Sequence, residues 1–490
     1  MDTNAMNRSP KKRRTLQEEI ERIAARTVPM HMPGHNRGLR PSDALHYELD
    51  ITEIDGADDL HDASGILAEA MERAADLWGS RRTWFLVGGS TCGLLAAIRA
   101  AAPFGSEIIA ARNCHRSVFH AIELGGYKVH WIVPEQNREY EICKAITPEQ
   151  VAAAVNRHPG SSAVVLTSPT YEGIISDIRG ISGICTKAGI PLIVDEAHGA
   201  HLGLFGEDGF PDGAVKCGAD LVVQSLHKTL PSLTQTAVLH LQGNLVGERE
   251  IERQLGIFET SSPSYPLMIS IDSCVGLLRK EGKELFGRWK ENLDRFYRDT
   301  ESFGSIRVFN EDSRREKNNE PLVRDRSKIL ISFRNGNMRG SRAAQILRSR
   351  YGIETEMSSG MNVLAMTGPG DSRENFTRLF EARRSMDIVL CSGGEEELRR
   401  REPLELPKVR TACSILKAVE HPREMLPLRE CIGRICGEYL YAYPPGIPIL
   451  APGEYITAQH LKAILRTESD GNRIYHTHSD DRKMIACLEE

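Results

Sequence analysis

The stretch LVVQSLHKTLPSLTQ, residues 221–235, sets Lys228 directly after His227, where a β-branched run gives way to a polar turn. A lysine there is either a solvated loop residue or an amine kept partly neutral by desolvation and ready to form a Schiff base. Three other windows carry comparable chemistry. PLIVDEAHGAH ends an apolar run on Asp195, a carboxylate that is costly to bury unless a cation or donor meets it. It reads as a helix cap, as a charge partner, or as a metal ligand together with His198 and His201. TWFLVGGST runs into Gly88, Gly89, Ser90 and Thr91. Glycines allow close backbone approach, and N–H groups and hydroxyls at a helix start suit a phosphate. The plainer reading is a glycine turn with a Ser/Thr cap. EIIAARNCHRS places His115 past a fourth apolar run, where a structural histidine is the plain reading.

All four windows sit at the ends of strand-like runs, and ligands bind beyond the carboxyl ends of strands in open α/β sheets. A phosphate cradle, an aspartate and a later lysine together match the demands of pyridoxal phosphate. Its phosphate wants a helix N-terminus, its pyridine nitrogen a carboxylate and its aldehyde an amine. No metal is expected on this reading.

These residues need a scaffold of alternating strands and helices. TWFLV (83–87), EIIAAR (107–112), YKVHWIV (127–133), SAVVLTS (162–168), IPLIVDEAH (190–198) and ADLVVQS (219–225) read as strands. Helical patterns fall at 16–26, 65–79, 88–102, 115–126 and 181–189. Alternation of this kind predicts a mainly parallel sheet covered on both faces. The pattern weakens near residue 275, and a helix through 284–303 is expected to bridge to a second α/β region. The charged stretch EDSRREKNNEPLVRDRS (311–327) reads as a surface loop. The expected division is an N-terminal arm at 1–62, a large domain at 63–310 and a smaller C-terminal α/β domain at 311–490.

Composition narrows the function classes. A net charge of −5 offers no basic field for nucleic acid, and the one basic cluster, Lys11 to Arg14, reads as a solvated tail. No apolar run approaches the ~18 residues that span a bilayer, and the N-terminus lacks a secretory apolar region. A cytoplasmic protein is expected, with no membrane partner. The 11 cysteines are scattered without a CxxC pair and are expected to be reduced.

Nine motifs occur in the order of a known family: HMPGHNRG, DITEIDGADDLH, FLVGGSTCG, RNCHRSV, SPTYEG, VDEAHGAHLG, QSLHKTLPSLTQ, TSSPSYPLM and YPPGIPILAPGE. In these the sequence resembles the pyridoxal-phosphate-dependent ornithine/lysine/arginine decarboxylases of bacterial type, in a short form without the N-terminal wing domain. The resemblance implies an aspartate aminotransferase-like fold (fold type I) with a seven-stranded sheet, and decarboxylation of a basic L-amino acid. Arginine is the first choice, then lysine or ornithine. It implies that Lys228 carries the cofactor, Asp195 pairs with the ring nitrogen, His115 stacks on one ring face and Ala197 covers the other. Gly89, Ser90, Thr91 and Ser225 would meet the phosphate, helped by His227. Thr260 or Ser261 would reach the phosphate of a neighbouring subunit, so a homodimer or higher homo-oligomer with shared sites is expected. His198 would lie near the amine, and Thr170 near the ring oxygen. Lys228 and His227 are both candidate proton donors to Cα. Asp55, Asp58, Asp59 and Glu454 are candidate acceptors for the distal cation of the substrate, or else cap turns. Glu172 faces either that cation or solvent. The rival reading is another fold type I enzyme, an aminotransferase or aldolase.

Overall fold

The computed structural model describes residues 14–33, 35–37, 42–206, 210–300, 304–310, 323–390 and 407–489. The six expected strands form close to their expected limits: β1 (Arg82–Leu86), β2 (Glu107–Ala111), β3 (Lys128–Ile132), β4 (Val164–Thr167), β5 (Leu192–Asp195) and β6 (Leu221–Ser225). A seventh, β7 (Ala237–Leu241), arises from AVLHL, too short a run to separate by pattern from the turn before it. The sheet order is β1-β7-β6-β5-β4-β2-β3. Strand β7 is antiparallel to both of its neighbours, and the pairs from β6 through to β3 are parallel.

Both faces of this sheet are buried, and successive side chains alternate between two cores. Ile193, Leu221 and Val223 enter a core shared with helices α1 (Leu16–Arg26), α2 (Ile66–Trp78), α3 (Gly89–Ala101) and α4 (Arg116–Gly125). Leu192, Val194 and Val222 enter the other, under α5 (Pro148–Arg157) and α6 (Ile178–Ala188). The same period carries Asp195 and Ser225 to the α3 face, which is why the ends of these two neighbouring strands serve one site.

The expected bridging helix is longer than its charged half indicates. It spans Tyr265–Asp299, and its first turns are apolar enough to be buried under the sheet. Beyond it, β8 (Arg307–Val308), β9 (Lys328–Ser332), β10 (Met357–Ser359) and β11 (Asn362–Met366) form an antiparallel sheet in the order β8-β9-β11-β10. Strand β8 precedes the expected boundary at residue 310. A separate C-terminal group pairs Arg423–Pro427 with Met484–Leu488, and Leu440–Ala442 with Pro448–Leu450 and Ile474–His476. It has its own core around Cys436, Leu440, Leu450 and Ile464. The region expected as one small domain therefore holds two sheet groups. Of the expected surface loop at 311–327, residues 311–322 lie outside the described residues. Arg324, Asp325 and Ser327 are buried, contrary to the expectation. Among the described residues, no helix is long and apolar enough to cross a membrane.

Candidate active site

Strand β6 ends at Ser225 and passes into a single helical turn, Leu226–Thr229, which carries Lys228. The Lys228 Nζ lies 3.0 Å from His198 Nε2. Burial lowers the lysine pKa, against the pull of Asp195 and Glu356. Asp195 ends the neighbouring strand β5 and is buried; its Oδ1 accepts the Ala197 N–H at 3.1 Å. Burial raises its pKa, and the Lys228 charge and that N–H oppose the rise. The solvated-loop reading does not fit: Lys228 lies in a helical turn, is part-buried, has its amine against His198 and feels the charge of the buried Asp195.

Helix α3 begins at Gly89, whose φ of +74° favours glycine. Gly88 is its N-cap and supplies no side-chain cap, so the reading of a Ser/Thr cap fails: Ser90 and Thr91 lie inside the first turn. Glu259 Oε1 accepts the N–H groups of Val87 and Gly88 at 2.8 and 2.6 Å. The Gln235 amide donates to the Val87 carbonyl, which brings the turn after Lys228 against this helix start. Ser225 Oγ is buried and has no hydrogen-bond partner among the described residues. The residues fit pyridoxal phosphate: a helix start without a side-chain cap follows β1, and a buried hydroxyl, a buried carboxylate and a part-buried amine stand at or just past the ends of the neighbouring strands β6 and β5.

His115 caps α4, its Nδ1 2.9 Å from Ser117 Oγ. Burial, with Lys228 and Arg116 nearby, holds its pKa down to about 3, so the ring is neutral. The Gly446 carbonyl accepts the Arg116 N–H at 3.1 Å, and a Cβ on Gly446 would meet His115 Nε2 at 3.2 Å. The YPPG segment of the C-terminal group thus rests on this histidine. His227 turns its Nδ1 to the Thr236 carbonyl at 3.0 Å, so the histidine that touches Lys228 is His198. Thr170 is buried and its Oγ1 accepts the Ile174 N–H at 3.2 Å. Thr260 and Ser261 are exposed.

The acidic residues expected at the distal cation have other partners. Glu454 is buried and accepts from Arg112 Nε and Nη2, each at 3.1 Å, and from the Ala451 N–H. Asp58 accepts the N–H groups of Ser64, Gly65 and Leu67, and Asp59 that of His61. Asp55 is exposed. Glu172 is part-buried, and that burial raises its pKa. A carboxylate that pattern reading missed is Glu356, just before β10. The Tyr171 hydroxyl donates to it, and the Tyr171 ring lies 4.2 Å from that of His198. Nothing local marks this glutamate, because an exposed Glu beside a strand is ordinary in sequence.

The metal reading of Asp195, His198 and His201 fails, since the three side chains part: His198 meets Lys228, and His201 Nε2 lies 3.1 Å from Asp325 Oδ1. Among the described residues, Glu107, His130 and His158 have the composition of a metal site. The two rings are stacked 3.5 Å apart and 10° from parallel, so one ion cannot lie in both ring planes.

The buried histidines make acid destabilising. His115 and His240 are held down to about 3 and His460 to about 4, chiefly by burial. Their folded pKa values lie below the unfolded value of about 6.5, so the unfolded chain binds more protons as pH falls. Each removes about 1.4 kcal/mol of stability per pH unit below about 6.5. Glu196, pushed up to about 8, acts in the opposite sense. The urea midpoint is expected to be lower at pH 5 than at pH 6.5; an equal or higher midpoint refutes this.

Comparison with known proteins agrees with this geometry. Residues 20–375 match the family described as Orn/Lys/Arg decarboxylase, major domain, and residues 399–472 match its C-terminal domain. The chain is 30% identical to the arginine decarboxylase of Bacillus subtilis over 472 residues, covering 94% of this chain and 95% of that protein. It is 23% identical to the constitutive lysine decarboxylase of Escherichia coli over 531 residues, covering 88% and 73%. The lysine decarboxylase structure from Francisella novicida superposes with a TM-score of 0.79 at 18% identity, covering 97% of this chain and 81% of that one. An aminotransferase from Bacillus subtilis, ureidoglycine-glyoxylate aminotransferase, shares the fold at a TM-score of 0.56 and 14% identity, over 71% of this chain and 90% of that one. With both family models matched in order along the chain, and a lysine and a buried aspartate placed at the ends of adjacent strands of an aminotransferase-like sheet, this chain belongs to the Orn/Lys/Arg decarboxylase family.

Proposed function

We propose that this protein removes CO₂ from a basic L-amino acid with the help of pyridoxal phosphate, arginine first and lysine or ornithine next. The products are CO₂ and agmatine, cadaverine or putrescine. The observation that carries the reading is the part-buried Lys228 amine, 3.0 Å from His198 Nε2 and in the field of the buried Asp195. The arginine decarboxylase that matches over nearly the whole chain supports arginine as the first substrate.

Bound pyridoxal phosphate supplies an electron sink for the bond between Cα and the departing carboxylate. The residues of this chain hold and tune the site around it. Burial disfavours the charged form of the Lys228 amine, which favours its use as a nucleophile. His198 Nε2 exchanges a proton with Lys228 Nζ across their contact, which makes Lys228 a better-placed proton donor to Cα than His227. Asp195 offers its carboxylate to the ring nitrogen. Ser225 Oγ and the first turn of α3, with Gly89, Ser90 and Thr91, offer donors to the phosphate, and His227 stands beside them. His115 and Ala197 bound the ring. Thr260 and Ser261 are assigned to the phosphate site across a homodimer of this chain.

Glu356 is assigned to the distal cation. It accepts from the Tyr171 hydroxyl, and Tyr171 packs on His198, whereas Glu454 is engaged by Arg112 and Asp58 by backbone N–H groups. A charge-assisted hydrogen bond contributes about 1.5–3 kcal/mol, so Glu356→Gln is expected to raise the KM for arginine roughly 10- to 100-fold. The kcat should change much less. An unchanged KM in steady-state assays removes Glu356 from the substrate site.

The test of the function is incubation of the purified protein with arginine, lysine and ornithine, with and without added pyridoxal phosphate, followed by amine analysis. Amine and CO₂ are expected. A keto acid indicates an aminotransferase, and no product from any of the three retires the proposal.

A further inference from the structure

Lys328 and Asp325 are fully buried, and Lys328 opens β9 in the second sheet rather than the large one. Its ammonium has three N–H groups and three acceptors: Asp325 Oδ2 at 2.6 Å, the His198 carbonyl at 2.8 Å and Ser327 Oγ at 3.2 Å. Asp325 Oδ1 lies 3.1 Å from His201 Nε2 and accepts the Ser327 N–H at 3.0 Å. The cluster therefore grips the loop after β5 at two residues, His198 through its backbone and His201 through its ring. Between the two grips, a Cβ on Gly199 would come within 2.7 Å of Glu196 Cγ and Pro169 Cδ, so the loop is also packed from its other side. The gripped His198 is the residue whose Nε2 meets Lys228.

A buried ion pair gives little net stability compared with an apolar replacement, because desolvation consumes most of the attraction. A saturated ammonium does fix direction, however, since each N–H must point at its acceptor. We propose that Lys328 is a positioning residue, which with Asp325 and His201 clamps the 195–201 loop so that the His198 imidazole faces the Lys228 amine. The second sheet thereby sets the geometry of a site that lies on the first. The inference rests on Lys228 being the cofactor anchor.

The charged and titratable groups around Lys228 are Asp195 at the end of β5, His198 in the loop, His115 before α4, its neighbour His227, Glu356 before β10 and Lys328 in β9. Lys328 opposes protonation of both Lys228 and His198.

The test uses the full-length holoenzyme and the charge-balanced variant Lys328→Met/Asp325→Asn. The midpoint of the pH titration of the visible cofactor band is expected to rise by roughly one unit. The kcat is expected to fall roughly 10- to 100-fold from misplacement, with KM for arginine little changed. A folded variant with the wild-type midpoint and kcat overturns the clamp. If that variant does not fold, His201→Gln and His201→Leu decide. Glutamine keeps an N–H for Asp325 and should retain the wild-type midpoint, whereas leucine should move it; identical behaviour of the two overturns the proposal. A wild-type protein with no visible band overturns the reading of Lys228 itself, which separates that failure from failure of the clamp.

Discussion

Replacement of Lys228 by alanine is expected to lower amine production from arginine by roughly 10³-fold or more. The chain should still fold. Among the described residues, the Lys228 side chain has one hydrogen-bond contact, to His198 Nε2, and its partial burial is costly rather than stabilising. Thermal stability should therefore be unchanged or higher. That combination, activity lost and stability kept, is what distinguishes a group held for chemistry from one held for packing. Amine analysis and a thermal melt on the same preparation measure both halves. Retained activity in Lys228→Ala removes the lysine from the reaction.

The largest stability effect is expected at Arg112, past the end of β2. Arg112 and Glu454 are both buried, and the guanidinium also donates to the carbonyls of Pro448 and Ile449 at 2.7 and 3.4 Å. Its plane lies over Phe119, 5.1 Å from the ring centre. These contacts join the large sheet to the C-terminal group. Arg112→Met leaves a buried carboxylate without its cation, which costs about 3–5 kcal/mol. Arg112→Met/Glu454→Gln removes the stranded charge and should recover much of the loss. Urea unfolding of the two variants measures this, and a single variant within about 1 kcal/mol of wild type would show the pair to be solvated.

These residues also show what pattern can and cannot reveal. Glu454 lies in YPPGIPILAPGE and looked available to a cationic substrate. Its cation comes instead from Arg112, more than three hundred residues earlier, a pairing that no local periodicity encodes. Glu356 and Lys328 are the reverse case. Both are charged residues in ordinary strand-edge settings, and their meaning depends on Tyr171, His198 and Asp325 meeting them across sheets. Helix α1 was legible to the residue, because its apolar spacing and the Thr15–Glu18 capping box are local.

The sequence by itself determined the strand ends that carry Asp195, Ser225 and Lys228, the glycine turn into α3 and the alternating order that makes a mostly parallel sheet. Each depends on period, turn chemistry or the cost of burying charge, and each is set by residues near one another in the chain. Only the tertiary structure decided which histidine touches the lysine, which carboxylates remain for a substrate and which buried cation braces the loop. Those outcomes depend on which acceptor lies within about 3 Å of which donor, and that distance is fixed when distant segments pack together.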